Sequence, residues 1–211
     1  MLKTGWKNWD KNLSQFVNKE NSIMELGSYT GMATSWFLTN LCSNPKSIMI
    51  AIDTWEGSPE YTTGVTKFHL VEKEFDENTK KTGRHSQLIK IKMLSHLALI
   101  KIKTTMNYKF NIIFIDASHT AKDVLTDAVL SWDLLVEGGI LIFDDYEWDI
   151  MDKDYFRPKI AIDSFINIFK PQLDVIYKGY QIMIQKRYLK DEEQAEIDTF
   201  YKIINNINKY I

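Results

Sequence analysis

Cysteine is nearly absent from this chain of 211 residues: Cys42 stands alone, so no intramolecular disulfide can form. Proline is scarce at four and glycine at nine, which leaves no Pro/Gly-rich linker and no collagen-like repeat. No apolar run approaches the ~18 residues of a membrane-spanning helix. The start, Met1 to Asp10, also lacks the apolar segment of a secretory signal. Charge of one sign is missing too: 26 basic residues face 28 acidic ones, for a net −2, and only Arg84, Arg157 and Arg187 of the basic set are arginine. Such a balance gives no electrostatic footprint for nucleic acid. The absences together lead us to expect a soluble cytoplasmic protein with neither a membrane nor a nucleic-acid partner.

What is present is material for a core. Hydrophobic residues make up 45% of the chain and aromatics 13%, a folded-domain composition, and the length suits one domain with an extra element or two. Short runs rich in Ile, Val and Phe alternate with helical patterns, the signature of βα units and a mostly parallel sheet. Strands are expected at 22–26, 47–52, 87–93, 110–115, 139–143, 173–177 and 181–185. Only Lys178-Gly179-Tyr180 separates the last two, too little for a parallel crossover of about a dozen residues, so they should form an antiparallel hairpin. Helices are expected at 9–18, 32–41, 65–78, 95–102, 121–135, 159–169 and 191–211. The fold class is therefore α/β, a doubly wound seven-stranded sheet in one domain over 1–211, with its core at about 22–186.

In the last helix, acids Asp191, Glu192 and Glu193 occupy the first turn, as the helix dipole prefers. Ile197, Phe200, Ile204, Ile207 and Ile211 recur at three- and four-residue steps. That stripe packs on its own domain or on a second copy, which leaves monomer and homodimer both open.

The strongest local signal is ELGSYTG, from Glu25 to Gly31, a strand running into a glycine-containing turn that opens a helix. Glycine lets backbone approach a ligand without a Cβ in the way. A dinucleotide fingerprint counted from Gly27 would need glycines at 29 and 32, where Tyr29 and Met32 stand. No Gly-Lys-Ser/Thr follows either, so the phosphate-binding loops are disfavoured. Asp53, at the tip of the second strand, sits where doubly wound folds hold a ribose diol.

ELGSYTG with AIDTWEGS resembles the first two motifs of the class I S-adenosylmethionine-dependent methyltransferases, particularly the small stand-alone O-methyltransferases. The likeness continues through 110–148, FNIIFIDASHTAKDVLTDAVLSWDLLVEGGILIFDDYEW, into PKIAIDSFINIF and the GYQIMI hairpin. The resemblance implies a Rossmann-like methyltransferase fold with S-adenosyl-L-methionine as cofactor. Glu25, Gly27, Ser28, Tyr29 and Gly31 would then serve the methionine part, Asp53 the ribose, and Thr54 with Trp55 the adenosine. Ser95 in KMLSHL would lie near the adenine, although Met93-Leu94 replaces the family's usual small acidic lead. Asp116 would approach the cofactor amino group and the methyl donor.

His119 stands three residues beyond Asp116 at the offset where catechol-type relatives carry a lysine. Imidazole titrates near neutrality and could take a proton from an acceptor hydroxyl; a loop-shaping role is the alternative. His69, His85 and His96 are expected at the surface or as caps. Asp116, Asp144 and Asp145 end adjacent strands and could converge on Mg²⁺, a hard cation that favours carboxylates; structural roles for the same acids remain open. Tyr61, Tyr146, Trp148, Tyr155 and Phe156, in loops at 56–64 and 146–157, suit a hydroxylated or aromatic acceptor or serve ordinary loop packing. The implied activity is methyl transfer to a hydroxyl of a small molecule or glycan. The alternatives are N- or macromolecule methylation and a silent partner protein with a cofactor fold.

Overall fold

A computed structural model of the chain describes residues 5–57, 68–106, 108–149 and 153–207. Its strands are β1 (Ser22–Leu26), β2 (Ile48–Asp53), β3 (Leu88–Lys92), β4 (Phe110–Ile115), β5 (Leu135–Phe143), β6 (Leu173–Lys178) and β7 (Ile182–Lys186). The helices are α1 (Gly5–Asn12), α2 (Met32–Leu41), α3 (Phe68–Lys81), α4 (Ser95–Thr105), α5 (Ala121–Trp132), α6 (Pro158–Phe169) and α7 (Asp191–Ile207). The strands form one sheet in the order β3-β2-β1-β4-β5-β7-β6. Strands β1 to β5 pair in parallel, whereas β7 runs antiparallel to both β5 and β6.

Period-two alternation explains the layers, because successive strand side chains point to opposite faces. Met24, Leu26, Ile50, Ile52, Ile113 and Ile115 share a core with Leu99 and Ile102 of α4, Val124 and Trp132 of α5 and Phe165 of α6. Ile23, Met49, Ile112, Phe114, Ile140 and Ile142 pack instead with Trp9 of α1 and Phe37 and Leu41 of α2. Val71 and Phe75 of α3 join Ala51 and Trp55 in a smaller cluster. Trp9 pins α1 to the second face: its ring stacks on Phe37 at 4.7 Å, and its indole N–H donates to Gln181 Oε1 at 2.7 Å. Removing a side chain buried to this extent costs about 3–5 kcal/mol.

Helix α1 begins at Gly5 rather than 9, α3 runs to Lys81 rather than 78 and α4 to Thr105 rather than 102; three further boundaries differ from the sequence reading for local reasons. The first helix ends at Asn12, followed by a 3-10 turn at Ser14–Phe16 and Asn18 at φ 61°, so no helix continues to 18. Strand β5 starts at Leu135 rather than 139, because it runs through Gly138 at φ 73° and its pairing with β4 shifts register there. Two adjacent glycines that resemble a turn in sequence are here an irregularity within a strand. Helix α5 consequently stops at Trp132 instead of 135.

The expected helix start at 65 lies outside the described residues, as do Ile211 and the side chains of Ile197, Ile204 and Ile207. On α7, Phe200 and Ile203 are exposed. Among the described residues, no helix is long and apolar enough to cross a membrane.

Candidate active site

The sheet order reverses between β1 and β4, and in open α/β sheets ligands settle at the strand carboxyl ends beside that point. A cavity of about 580 Å³ opens there, within the ~300–1,000 Å³ usual for small-molecule sites. Its wall takes Gly27 and Tyr29 from the β1–α2 loop, Asp53, Thr54 and Trp55 from the tip of β2, Ser95 from α4, Asp116 and His119 after β4, and Asp145 after β5. Asp144 lies apart from this wall, in a narrow adjoining recess with Asp116, His119 and Asp145.

The remaining three motif residues work from beneath the loop. Glu25, 1% exposed, accepts from the Ser28 hydroxyl at 3.0 Å and from the Thr34 hydroxyl. Burial pushes its carboxyl up to about 7, against the two hydroxyl hydrogen bonds. Gly31 caps α2 in the left-handed region, and a Cβ there would meet the Phe75 ring at 2.8 Å. Gly27 is more constrained still: at φ 84° a Cβ would sit 2.0 Å from the Asp116 carbonyl oxygen. Its lack of a side chain therefore lets the loop cross the end of β4 as well as border the cavity.

Asp53 organises this loop. Its Oδ2 accepts from the backbone N–H groups of Ser28 and Tyr29, both at 2.8 Å, and Oδ1 accepts from Trp55 N–H at 2.7 Å. The carboxylate thus ties β2 to the β1–α2 loop. A carboxylate oxygen has two lone pairs, so Oδ1 retains capacity for a ribose hydroxyl.

Acids dominate the centre. Asp116 reaches solvent through the cavity, yet enclosure by protein holds its carboxyl well above the usual range, and the charges of Asp144, Asp145, Glu25 and Asp53 add to the effect. Burial and the Asp145 charge raise Asp144 to about 6. A cavity ringed by mutually repelling carboxylates favours a ligand carrying positive charge.

His119 is fixed from two sides. Its Nε2 lies 2.8 Å from Asp145 Oδ2, and its ring stacks on Trp148 with centroids 4.5 Å apart and planes 15° from parallel. The other oxygen of Asp145 accepts from the Tyr180 hydroxyl at 2.8 Å, and Asp145 itself adopts φ 56°. Asp144 Oδ1 accepts from Asp145 N–H at 2.9 Å and from the Gln181 amide at 3.3 Å. Each Asp145 oxygen is thus engaged by a protein partner. Among the described residues, no group of three or more His, Cys, Asp or Glu is placed to hold a metal ion.

Several residues depart from the sequence reading. His96, expected at the surface or as a cap, stands in the cavity wall. Tyr146 is buried away from the loop edge; its hydroxyl donates to Asp163 Oδ1 at 2.8 Å and accepts from Lys159. Trp148 stacks on His119, while Tyr155 and Phe156 pack on each other at 4.3 Å. Tyr61 and the loop at 58–64 lie outside the described residues. Two contributors escaped the sequence reading: Tyr180, which looked like hairpin filler, and Asp127 of α5, which borders the cavity. Asp127 carries a signal in hindsight, since it falls on the same helical face as Val124, Ala128 and Ser131, all buried.

Residues 24–146, more than half of the chain, match the family model of a methyltransferase domain. Comparison with curated proteins gives no match. Among solved structures, an O-methyltransferase from Bacillus cereus in complex with SAH superposes with TM-score 0.59 at 16% identity, covering 79% of this chain and 74% of that one. A candidate rRNA-methylase from Clostridium thermocellum gives 0.63 at 11% identity, over 88% and 99% of the two chains. CalS11, a TDP-rhamnose 3'-O-methyltransferase of calicheamicin biosynthesis, gives 0.57 at 12% identity, over 85% and 77%. With the reversed sheet order, the β1–α2 glycine loop and the antiparallel β6–β7 pair in place, the chain belongs to the methyltransferase domain family and has the class I S-adenosylmethionine-dependent methyltransferase fold.

Proposed function

We propose that this protein transfers a methyl group from S-adenosylmethionine to a hydroxyl of a small molecule or sugar, with His119 as the general base. The observation that carries the reading is the His119–Asp145 pair, 2.8 Å apart at the edge of the acid-ringed cavity. When bound, S-adenosylmethionine supplies an electrophilic sulfonium methyl. Gly27 and Tyr29 border its methionine part, Asp53 and Thr54 the ribose, Ser95 the adenine, and Asp116 the ammonium. Glu25, Ser28 and Gly31 contribute by fixing the loop.

Transfer in line requires the acceptor oxygen and the methyl to be held together, so positioning supplies most of the rate. A hydroxyl acceptor also needs to lose its proton. With Nε2–H donated to Asp145, Nδ1 is the basic nitrogen of His119. Asp145 then orients the ring and stabilises the imidazolium that forms, as the aspartate of a catalytic triad does. Stacking on Trp148 holds the ring plane, and Tyr180 restrains Asp145 from the hairpin side.

Asp144 and Asp145, which border the cavity and its adjoining recess, with Glu147 and Asp149 following them in the chain, favour a neutral hydroxylated acceptor over a polyanion such as RNA. A Mg²⁺-assisted variant of the reaction would draw on Asp116, Asp144 and Asp145, and would require Asp145 to release His119 or Tyr180. Turnover of radiolabelled S-adenosylmethionine on a panel of sugars and phenols, with and without EDTA, tests the whole reading. Transfer to a hydroxyl that survives EDTA supports it. Loss of transfer in EDTA restores the metal, transfer only to amines or RNA replaces the acceptor class, and cofactor binding without any transfer leaves the silent-partner alternative.

A further inference from the structure

Asp127 is a second buried acid at the cavity, eleven residues beyond Asp116 on helix α5. It is 1% exposed, and it lines the cavity with Leu94, Ser95 and His96 of the β3–α4 junction. The Ser95 side chain hydrogen-bonds its carboxylate, while Oδ2 is buried with no hydrogen-bond partner. A buried acceptor without a donor costs about 1–3 kcal/mol. Alanine would suit this helical position better on propensity and would bury no polar atom there. Burial also pushes the carboxyl up to about 7, with Ser95 opposing the shift. Oδ2 is therefore left without a partner among the described residues, and as a carboxylate oxygen it can accept a hydrogen bond.

Its place identifies the donor. Asp53 and Thr54, at the tip of β2, border the cavity, and the β3–α4 junction is the next segment outward in the sheet order. On the proposed reading, ribose lies at the first and the purine at the second. That junction reads Met93-Leu94-Ser95-His96 and carries no acid of its own. We propose that Asp127 Oδ2 accepts a hydrogen bond from the 6-amino group of the cofactor's adenine, so that helix α5, rather than the β3–α4 loop, supplies the acid that selects adenine over a 6-oxo purine. Ser95 holds the other oxygen in the ligand-free chain. Since Oδ2 is covered in the ligand-free chain, the contact includes a rotation of this carboxylate toward the cavity. The inference rests on the cofactor reading above.

Calorimetric titration of the full chain with S-adenosylhomocysteine and with S-inosylhomocysteine, its 6-oxo counterpart, separates the two levels. Wild type should bind the adenosyl compound about 10-fold or more tightly, since the oxo group sets an acceptor against an acceptor. Asp127→Ala should bring the two affinities within about twofold, and Asp127→Asn, which can donate to the oxo group, should favour the inosyl compound relative to wild type. Equal affinities in wild type, or variants that keep the wild-type ratio, overturn the role of Asp127 and leave the cofactor reading standing. Failure of wild type to bind either compound overturns the cofactor reading, and the role of Asp127 with it. Asp127→Asn keeps the shape of the side chain and decides by the same ratio if Asp127→Ala does not fold.

Discussion

His119 Nε2 stands 2.8 Å from Asp145 Oδ2, joining the loop after β4 to the loop after β5. A neutral imidazole donating from one nitrogen is basic at the other, so on the proposed reading this bond makes Nδ1 the nitrogen that takes the proton. For the proposed base, His119→Ala should lower kcat by about 10²–10⁴ with little change in the dissociation constant of S-adenosylhomocysteine. Asp145→Asn should lower kcat by a smaller factor and also weaken the tie to Tyr180. Steady-state kinetics on a hydroxyl acceptor checks both, and normal turnover in His119→Ala would remove the base.

Gly27 offers a test of the loop. A Cβ at this position would lie 2.0 Å from a backbone oxygen and 2.6 Å from Ala117 Cα, atoms that cannot swing aside. Gly83, at φ 70°, has nothing within 4 Å of its Cβ position and supplies a control that bears only the left-handed strain of about 1–2 kcal/mol. Gly27→Ala should lower the melting temperature well beyond Gly83→Ala and lose S-adenosylhomocysteine binding, whereas Gly83→Ala should bind normally. Thermal melts with and without ligand distinguish these outcomes.

Glu25 predicts a pH dependence. Its carboxyl titrates at about 7 when folded against an ordinary 4.5, so between those values the native state holds a proton that the unfolded chain has released. Stability then falls as pH rises through that window, and Asp127, raised to about 7, acts in the same direction. Ligand-free wild type should therefore melt higher near pH 5.5 than near pH 8. Glu25→Gln, which cannot ionise, should reduce that difference by an amount on the order of 2 kcal/mol in unfolding free energy. Denaturant titrations at the two pH values measure it; an unchanged pH slope in Glu25→Gln would assign the effect elsewhere.

Much of the fold was legible because apolar alternation and helical spacing are local properties. Ser22–Leu26, Met32–Leu41 and Phe110–Ile115 fall where the sequence pattern puts them, since each begins or ends on a plain change of period. The start of β5 was hidden because Gly138 bends within a strand that neighbouring β4 and β7 hold in place, information that a single segment does not carry. At the site, the strand-tip acids and His119 were visible from their order along βα units. What they touch was not: Asp145 meets His119 and Tyr180 across 26 and 35 residues. Asp127 looked like one more polar residue on an amphipathic helix until burial of its face became known.

Asp53 carries the central claim, that the cavity holds S-adenosylmethionine. Its carboxylate binds the N–H groups of Ser28, Tyr29 and Trp55 and borders the cavity where ribose is proposed. The most direct measurement is calorimetric titration of S-adenosylhomocysteine into wild type and Asp53→Ala. The account predicts saturable one-to-one binding to wild type and its loss in the variant, and it is contradicted if wild type shows neither heat nor a shift in melting temperature at millimolar ligand.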